Sequence, residues 1–235
     1  MKYSIIIPTY NHLEDCLKPC IESIIKYTDL VDMEILISAN GCTDNTKKYI
    51  EGLGIPFKLV WNEKAVGFAK AVNEAIEISK GDYIVLLNND ILLLDRKRNE
   101  WLEMLVEPFK DSSVGITGPL LDPSGPAGGE YFIIFFCVMI KREVFNKIGL
   151  LDPIFGVGGG EDTDFCIRAK RAGYKLIQTP EGILNKGPDF MGGFFPIYHK
   201  GEATVKDKNC VSNWDEIFEY NSNLLREKYM IKGEI

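Results

Sequence analysis

The chain has 235 residues, of which 46% are hydrophobic, so it is long enough for one large domain with a substantial core. Lysine and arginine total 27 against 34 aspartates and glutamates, which gives a net charge of -7. This acidic balance argues against a general binder of nucleic acids or anionic membranes, and we expect no nucleic-acid partner. Binding of an anionic ligand would need a local cation.

The sequence has no pattern typical of export or membrane insertion. The longest apolar run, residues 131–140, is well short of the roughly 20 residues that cross a bilayer. The first residues lead directly into a β-rich run without the apolar region of a signal peptide. The six cysteines are scattered without a CxxC pair, which favours reduced, packed thiols. We therefore expect a cytoplasmic protein without a transmembrane segment, and a peripheral contact with a membrane surface stays open.

Short β-rich runs alternate with helical patterns in the first half of the chain. Three helices are predicted from the apolar spacing, the second of them capped by Thr43 or Asp44 and reaching Leu53. Strands alternating with helices predict βαβ units, and therefore an α/β, doubly wound, mostly parallel central sheet flanked by helices. The four predicted strands are Ser4–Ile7, Glu34–Ser38, Phe57–Trp61 and Tyr83–Leu87.

Polar segments follow all four predicted strands. In a doubly wound sheet, ligands bind beyond the carboxyl ends of the strands, so these segments should share one rim. Asn88, Asn89 and Asp90 also have a purely structural interpretation, because Asn and Asp stop strands and favour turns. The four segments are Thr9–Asn11, Ala39–Asp44, Asn62–Lys64 and Asn88–Asp90.

The second half is less regular. A Pro/Gly-rich loop, Gly118–Glu130, is predicted to be a flap over a site. The apolar run Tyr131–Ile140 is predicted to be one buried strand. Helices are predicted at Trp101–Phe109, Glu143–Ile148, Asp162–Ala172 and Trp214–Tyr229.

A glycine run, Gly158–Gly160, precedes three carboxylates at a predicted helix start. It lacks the Lys and Ser/Thr of a P-loop, and no GxGxxG motif follows the first strand, so both nucleotide-binding fingerprints are absent. Glu161, Asp162 and Asp164 fit helix capping and the helix dipole. Glycines also let the backbone approach a ligand closely, which favours a functional site. From these residues alone both interpretations stay open.

The chain has only two histidines, His12 and His199. His12 stands at a predicted helix start, where a surface or packing role is the usual one. His199 lies at the end of a short apolar stretch, and with Asp90 it would offer the oxygen and imidazole ligands that suit Mn²⁺. Their wide separation in sequence says nothing about their proximity in space.

The sequence resembles the family 2 glycosyltransferases, which have the GT-A fold and transfer sugars from nucleotide-sugar donors, usually with inversion. The resemblance covers nearly all of residues 2–204, and the order and spacing of its segments make it specific. These segments are "SIIIPTYN", "ANGCTDNT", "NEKAVGFAKAVNEAI", "GDYIVLLNND", "KREVFNKIGLLDPIFG", "GEDTDFCIRAKRAGYKL" and "YHKGEAT".

The resemblance implies a role for each candidate residue. Asp162 would be the general base that takes the acceptor proton, and Glu161 would orient the donor sugar or the acceptor. Asp90 and His199 would hold a divalent metal, Mn²⁺ or Mg²⁺. The residues implied in binding the nucleotide sugar are Pro8, Thr9, Tyr10, Asn11, Asn40, Gly67, Asn88, Asn89 and Asp90.

Substrate choice is less defined. Relatives commonly have Asp where this chain has Ala39, so the donor is expected to be a UDP-, GDP- or dTDP-sugar without a choice among them. The family implies a glycan or glycolipid acceptor. Gly182–Ile197, with its phenylalanines Phe190, Phe194 and Phe195, would form part of the acceptor platform or of the core.

Together these expectations describe a metal-dependent inverting glycosyltransferase. Its GT-A domain would span residues 1–205, with a nucleotide-binding half of about 1–95 and an acceptor-binding half of about 96–205. Residues 206–235 would form a helical extension that closes the domain or docks on a partner or membrane. The alternative is a non-catalytic module that binds a nucleotide sugar or a partner through a degenerate site. A nucleotidyltransferase is less favoured, because no glycine-rich, basic loop follows the first strand.

Overall fold

The computed structural model describes residues 2–54, 56–123, 130–179, 195–201, 207 and 211–230. Its main feature is a seven-stranded sheet with the strand order β10-β6-β9-β4-β1-β2-β3. Only β9 runs antiparallel to its neighbours, so the predicted doubly wound, mostly parallel α/β fold is confirmed. The strands are β1 Tyr3–Thr9, β2 Met33–Asn40, β3 Phe57–Asn62, β4 Tyr83–Leu87, β5 Ile91–Leu93, β6 Val114–Gly118, β7 Leu121–Asp122, β8 Phe132–Ile133, β9 Cys137–Lys141, β10 Lys175–Gln178 and β11 Ile197–His199.

Helices cover both faces of this sheet. Ile5 and Ile7 of β1 point into one core and Ile6 into the other, because successive strand residues face opposite sides. Burial on both faces explains why the strands are continuous apolar runs. The helices are α1 Lys18–Tyr27, α2 Thr46–Glu51, α3 Phe68–Ile78, α4 Glu100–Val106, α5 Arg142–Ile148, α6 Glu161–Arg171 and α7 Trp214–Met230.

The prediction of one strand over Tyr131–Ile140 is wrong. The run contains β8 and β9, separated by a turn at Phe135 and Phe136. β8 pairs with β7, whereas β9 enters the central sheet between β4 and β6. The chain therefore passes from the β7–β8 sheet to the central sheet within one apolar run. Both strands and both phenylalanines of the turn are buried, so hydrophobicity alone does not reveal the turn.

Two smaller expectations also change. Helix α2 is shorter than predicted, and neither Thr43 nor Asp44 is its N-cap residue; Asn45 precedes its first residue. Asp44 instead accepts hydrogen bonds through Oδ1 from the backbone N–H of Thr46 at 3.1 Å and from the Thr46 hydroxyl at 2.6 Å.

The cysteines at 16, 20, 42, 137 and 166 are buried and free, as a packing role predicts.

The C-terminal helix α7 packs on the domain. Its Leu225 is fully buried against Phe155 and Ile167. The Lys228 ammonium lies 2.7 Å from Asp152 Oδ2 and 2.6 Å from Asp164 Oδ1, and both of these aspartates precede α7 in the main domain. These contacts favour the closing role among those considered for the C-terminal extension.

Parts of two predictions lie outside the described residues. The tip of the predicted flap is at 124–129, and most of the predicted acceptor platform is at 180–194. Phe195 is described and is 1% exposed, which makes it a core residue. Within the described part of the chain, no helix has both the length and the apolar character needed to cross a membrane.

Candidate active site

A cavity of about 360 Å³ opens at the carboxyl ends of β1, β2 and β4. Polar segments from all three strands reach it, as the sheet topology predicts. It collects almost every candidate residue found in the sequence. Those that line it are Pro8, Thr9, Tyr10, Asn40, Gly67, Asn88, Asn89, Asp90, Glu161, Asp162 and His199.

The rim next to β1 and β4 is held by side-chain hydrogen bonds. The Asn89 amide donates to the Thr9 hydroxyl at 2.9 Å, and both side chains are buried. Asn40 accepts a 2.7 Å hydrogen bond from the backbone N–H of Val66, which ties the end of β2 to the loop before α3. The amides after these strands therefore cross-link the rim as well as lining the cavity.

Asp90 and His199 meet although they are far apart in sequence. β5 begins directly after Asp90 and pairs antiparallel with β11, with Ile91 opposite His199. This register brings His199 Nε2 to 3.1 Å from Asp90 Oδ1, and both side chains are largely buried. The imidazole stacks on Phe136, with ring centroids 4.4 Å apart. The pairing considered from donor chemistry alone thus exists in the fold.

The turn between β8 and β9 contributes to both sides of the cavity. The Phe136 carbonyl accepts a 2.8 Å hydrogen bond from the backbone N–H of Asn88. Phe135 lines the cavity with Asp162, and its backbone N–H favours the ionised form of that carboxyl and so lowers its pKa. This turn, which the sequence pattern does not indicate, therefore connects the Asn-Asn-Asp segment with the acids at the start of α6.

Glu161 and Asp162 are buried acids at the N-terminus of α6. Burial, reinforced by the neighbouring Asp162, raises the pKa of Glu161 to about 8. Burial also raises the pKa of Asp162, to about 6, but hydrogen bonds from the N–H groups of Thr163 and Phe135 limit that rise. At neutral pH Asp162 is thus mainly ionised and Glu161 mainly protonated.

Gly67 is a structural requirement of the cavity wall. It has φ +93°, and a Cβ at this position would lie 2.5 Å from the Gly156 carbonyl oxygen. That carbonyl accepts a 2.9 Å hydrogen bond from Phe68 at the start of α3. Glycine is therefore needed where α3 meets the loop that leads to Glu161.

Asn11 is the one candidate that does not line the cavity. Its side-chain oxygen accepts a 2.7 Å hydrogen bond from the Thr43 N–H. It thus holds together the loops after β1 and β2. The cavity also contains residues that the sequence did not single out as site residues; these are Ala65, Phe68, Ile134, Phe135, Phe136, Val157, Gly158, Gly159, Val211 and Trp214.

His12 belongs to a second cluster of titratable groups. Its Nδ1 lies 3.1 Å from both carboxylate oxygens of Asp15, and Cys16 completes a group with ligand atoms within 4.8 Å of one another. The Lys200 ammonium is 3.1 Å from the same carboxylate, so a cation is already present there. None of these four residues lines the cavity described above.

Comparison with known sequences decides the family. Residues 4–132, more than half of the chain, match the family model of Glycosyl transferase family 2. The chain belongs to this family. The match contains the Asn-Asn-Asp segment and ends within β8, and the glycine run, the acids and His199 follow it.

This family 2 member aligns with only part of each of two relatives. It is 25% identical over 222 residues to the O-antigen biosynthesis protein RfbC of Myxococcus xanthus, an alignment that covers 78% of this chain and 17% of RfbC. It is 32% identical over 105 residues to the UDP-Glc:alpha-D-GlcNAc-diphosphoundecaprenol beta-1,3-glucosyltransferase WfgD of Escherichia coli, covering 44% of this chain and 41% of WfgD. The chain thus spans less than half the length of either relative.

A solved structure confirms the fold. The mannosyltransferase PcManGT from Pyrobaculum calidifontis, in complex with GDP-Man and Mn²⁺, superposes with a TM-score of 0.61 at 20% identity. The superposition covers 79% of this chain and 58% of that chain. The family 2 chain therefore has a GT-A fold.

Proposed function

We propose that the chain transfers a sugar from a nucleotide-diphosphate sugar to a hydroxyl of a glycan or glycolipid acceptor, with inversion. The observation that carries this proposal is the convergence of Asp90, His199, Glu161 and Asp162 on one cavity at the rim of a GT-A sheet. The family match and the two named relatives, one in O-antigen biosynthesis and one a glucosyltransferase, support the same chemistry.

The donor would bind along the rim formed by β1, β2 and β4. Pro8, Thr9 and Tyr10 lie at the carboxyl end of β1, where the strand order reverses between β1 and β4. Open α/β sheets bind ligands at such a point. Asn88 and Asn89 would hydrogen-bond to the ribose or the diphosphate. WfgD is named for UDP-Glc and PcManGT was solved with GDP-Man, so UDP- and GDP-sugars are the first donors to test and dTDP-sugars the next.

The donor atoms of Asp90 and His199 fit a divalent metal. A carboxylate oxygen and an imidazole nitrogen 3.1 Å apart, on a largely buried cavity wall, are a ligand pair suited to Mn²⁺. Stacking on Phe136 fixes the orientation of the imidazole. When bound, Mn²⁺ or Mg²⁺ would neutralise charge on the leaving diphosphate, which an acidic protein cannot do alone.

Asp162 would act as the general base. Its carboxylate accepts the proton of the acceptor hydroxyl while that oxygen attacks the anomeric carbon. The bond between this carbon and the diphosphate oxygen breaks, and its electron pair leaves with the nucleoside diphosphate. A single displacement of this kind inverts the anomeric configuration. The 2.7 Å hydrogen bond from the Thr163 N–H and the nearby N–H of Phe135 limit the rise in the pKa of this base to about 6, so it is mainly ionised at neutral pH.

This proposal divides the chain by role. Residues of about 1–95 would bind the nucleotide, and residues of about 96–205 would supply the base and the acceptor site. Residues 206–235 would form an extension. The contacts of α7 with Asp152 and Asp164 support an extension that completes the domain.

Release of free nucleotide from a panel of UDP-, GDP- and dTDP-sugars, with Mn²⁺ and with EDTA, tests the proposal. We expect metal-dependent release from at least one donor, slowly to water and faster when a glycan acceptor is present. Thermal stabilisation by a donor without any release would instead indicate a non-catalytic binding module. If no donor gives either stabilisation or release, the proposed function is overturned.

A further inference from the structure

Helix α7 contributes an aromatic side chain to the cavity. Trp214, in its first turn, lines the same space as Glu161 and Asp162. Its ring packs over Gly159, where an added Cβ would lie only 3.1 Å from the indole. Gly159 also has φ +88°, so this position favours glycine for both its conformation and its contact with the indole.

The cavity wall near Trp214 is apolar and partly open. Phe218 lies one helical turn further along α7, with its ring centroid 6.0 Å from that of Trp214. Val157, on the glycine loop, also lines the cavity. Val157 is 42% exposed, and Phe218, which is outside the cavity lining, is 49% exposed. The flat indole of Trp214 and the side chain of Val157 thus offer a hydrophobic surface to a ligand.

A polar atom on the same side of the cavity lacks a partner. Glu161 is 7% exposed, and its Oε2 has no hydrogen-bond partner among the described residues. A buried polar atom left unpaired costs about 1 to 3 kcal/mol, so such an atom on a cavity wall indicates a ligand that satisfies it. Because burial keeps this carboxyl mainly protonated at neutral pH, it can both donate to and accept from a hydroxyl.

Helix α7 is firmly fixed to the loop that carries these groups. The Asn221 side chain is 2% exposed and donates 2.9 Å hydrogen bonds to the carbonyls of Phe155 and Gly158. At the other end of the helix, Tyr229 hydrogen-bonds to Asp164 of α6. The position of Trp214 is thus coupled to that of the two acids.

We propose that Trp214 and Glu161 form an acceptor subsite that binds a sugar ring of a glycan. This inference rests on the proposed function and specifies its acceptor. A pyranose has an apolar face that can lie on the indole and a hydroxyl edge that can reach the carboxyl, with one hydroxyl directed to Asp162. A polyprenyl chain would cover the indole but leave Glu161 Oε2 unsatisfied, so a sugar fits both features and a lipid fits one.

An array of immobilised glycans, probed with labelled protein in Mn²⁺ and UDP, GDP or dTDP, tests the subsite. We expect the unmodified chain to bind a defined set of glycans. Trp214→Leu should weaken that binding roughly tenfold or more, because it keeps the hydrophobicity and loses the flat face. Trp214→Phe should retain most of it. Tyr220→Ala is the matched control, since Tyr220 is on the same helix, 65% exposed and outside the cavity.

Three results would overturn the inference: no glycan bound by the unmodified chain, equal binding by Trp214→Leu, or binding to vesicles containing undecaprenyl phosphate in place of glycans. Thermal stabilisation of each variant by nucleotide sugars with Mn²⁺ separates this failure from failure of the proposed function. Donor stabilisation without glycan binding would contradict only the acceptor subsite. Absence of both donor stabilisation and glycan binding would also contradict the proposed function.

Discussion

The two sides of the cavity are built in opposite ways. On the donor side, Asn89, Thr9 and Asn40 are tied by hydrogen bonds between 2.7 and 2.9 Å at the ends of parallel strands. On the acceptor side, Glu161 and Asp162 are two adjacent buried acids whose pKa values are both raised. The amides of the donor rim are hydrogen-bonded, whereas the two acids of the opposite wall lie where burial disfavours their charged forms.

This difference follows from what each side would bind. A nucleotide diphosphate brings its own charge and needs a rigid rim with fixed donors and a cation site. An acceptor hydroxyl is neutral and needs a base whose pKa lies near the working pH, which burial provides. Four predictions test this contrast, in decreasing order of expected effect.

Asp162→Asn should lower the transfer rate by roughly 100- to 10,000-fold, the usual contribution of a general base, because an amide cannot accept the hydroxyl proton. Donor binding and the melting temperature should be maintained, since the donor rim is unaffected. Nucleotide release and thermal melting in the presence of the donor measure both. Asp29→Asn is the control, because Asp29 is 56% exposed and lies outside the cavity. Full activity in Asp162→Asn would exclude it as the base.

His199→Ala should weaken Mn²⁺-dependent donor binding by roughly tenfold to a hundredfold, because half of the protein ligand pair is lost. The chain supplies its own control in the other histidine. His12→Ala removes an imidazole outside the cavity and should leave donor affinity unchanged. Calorimetric titration of donor, with Mn²⁺ and with EDTA, distinguishes the variants. Equal affinities would place the metal elsewhere.

Transfer at saturating donor and Mn²⁺ should decrease as the pH falls through about 6, approaching tenfold per pH unit below that value. The reason is that burial raises the pKa of Asp162 to about 6, and only its ionised form accepts a proton. Saturation keeps donor binding from contributing to the profile. A rate that stays constant down to pH 5 would contradict the assignment of this base.

Glu161→Gln should stabilise the fold at pH 8 by about 1 to 3 kcal/mol and much less at pH 5. The folded-state pKa, about 8, lies above the ordinary value of 4.5 for a glutamate. The folded chain therefore keeps a proton that the unfolded chain releases, and stability is lost as the pH rises between these two values. Urea unfolding at both pH values measures the effect. Glu103→Gln, an exposed acid paired with Lys97, should not reproduce it.

The parts of the fold that could be predicted are those with a clear pattern within one short segment of sequence. Strands β1 to β4 were predicted to within two residues at each end, because each is a mainly apolar run that ends in polar residues. β5 was missed since a strand of three residues carries too little periodicity. The turn at Phe135 and Phe136 was missed because buried phenylalanines give no turn signal.

For the candidate site, the sequence indicated which residues could do chemistry but not which of them contact each other. Asp90, Glu161 and Asp162 stand out in sequence because carboxylates follow an apolar strand or a glycine run. Trp214 carried no such mark, since an aromatic residue on an amphipathic helix is most often core. The structure places the Trp214 ring over Gly159 and in the wall of the cavity.

The sequence by itself determined the class of sheet, the family resemblance and the types of residue available for chemistry, because these depend on periodicity and on motifs within short segments. Tertiary structure was needed to show that His199 lies beside Asp90, that Trp214 of α7 packs over Gly159, and that burial raises the pKa of both adjacent acids. Those outcomes depend on strand pairing across more than 100 residues and on burial from every side, and neither is encoded in any single stretch of chain.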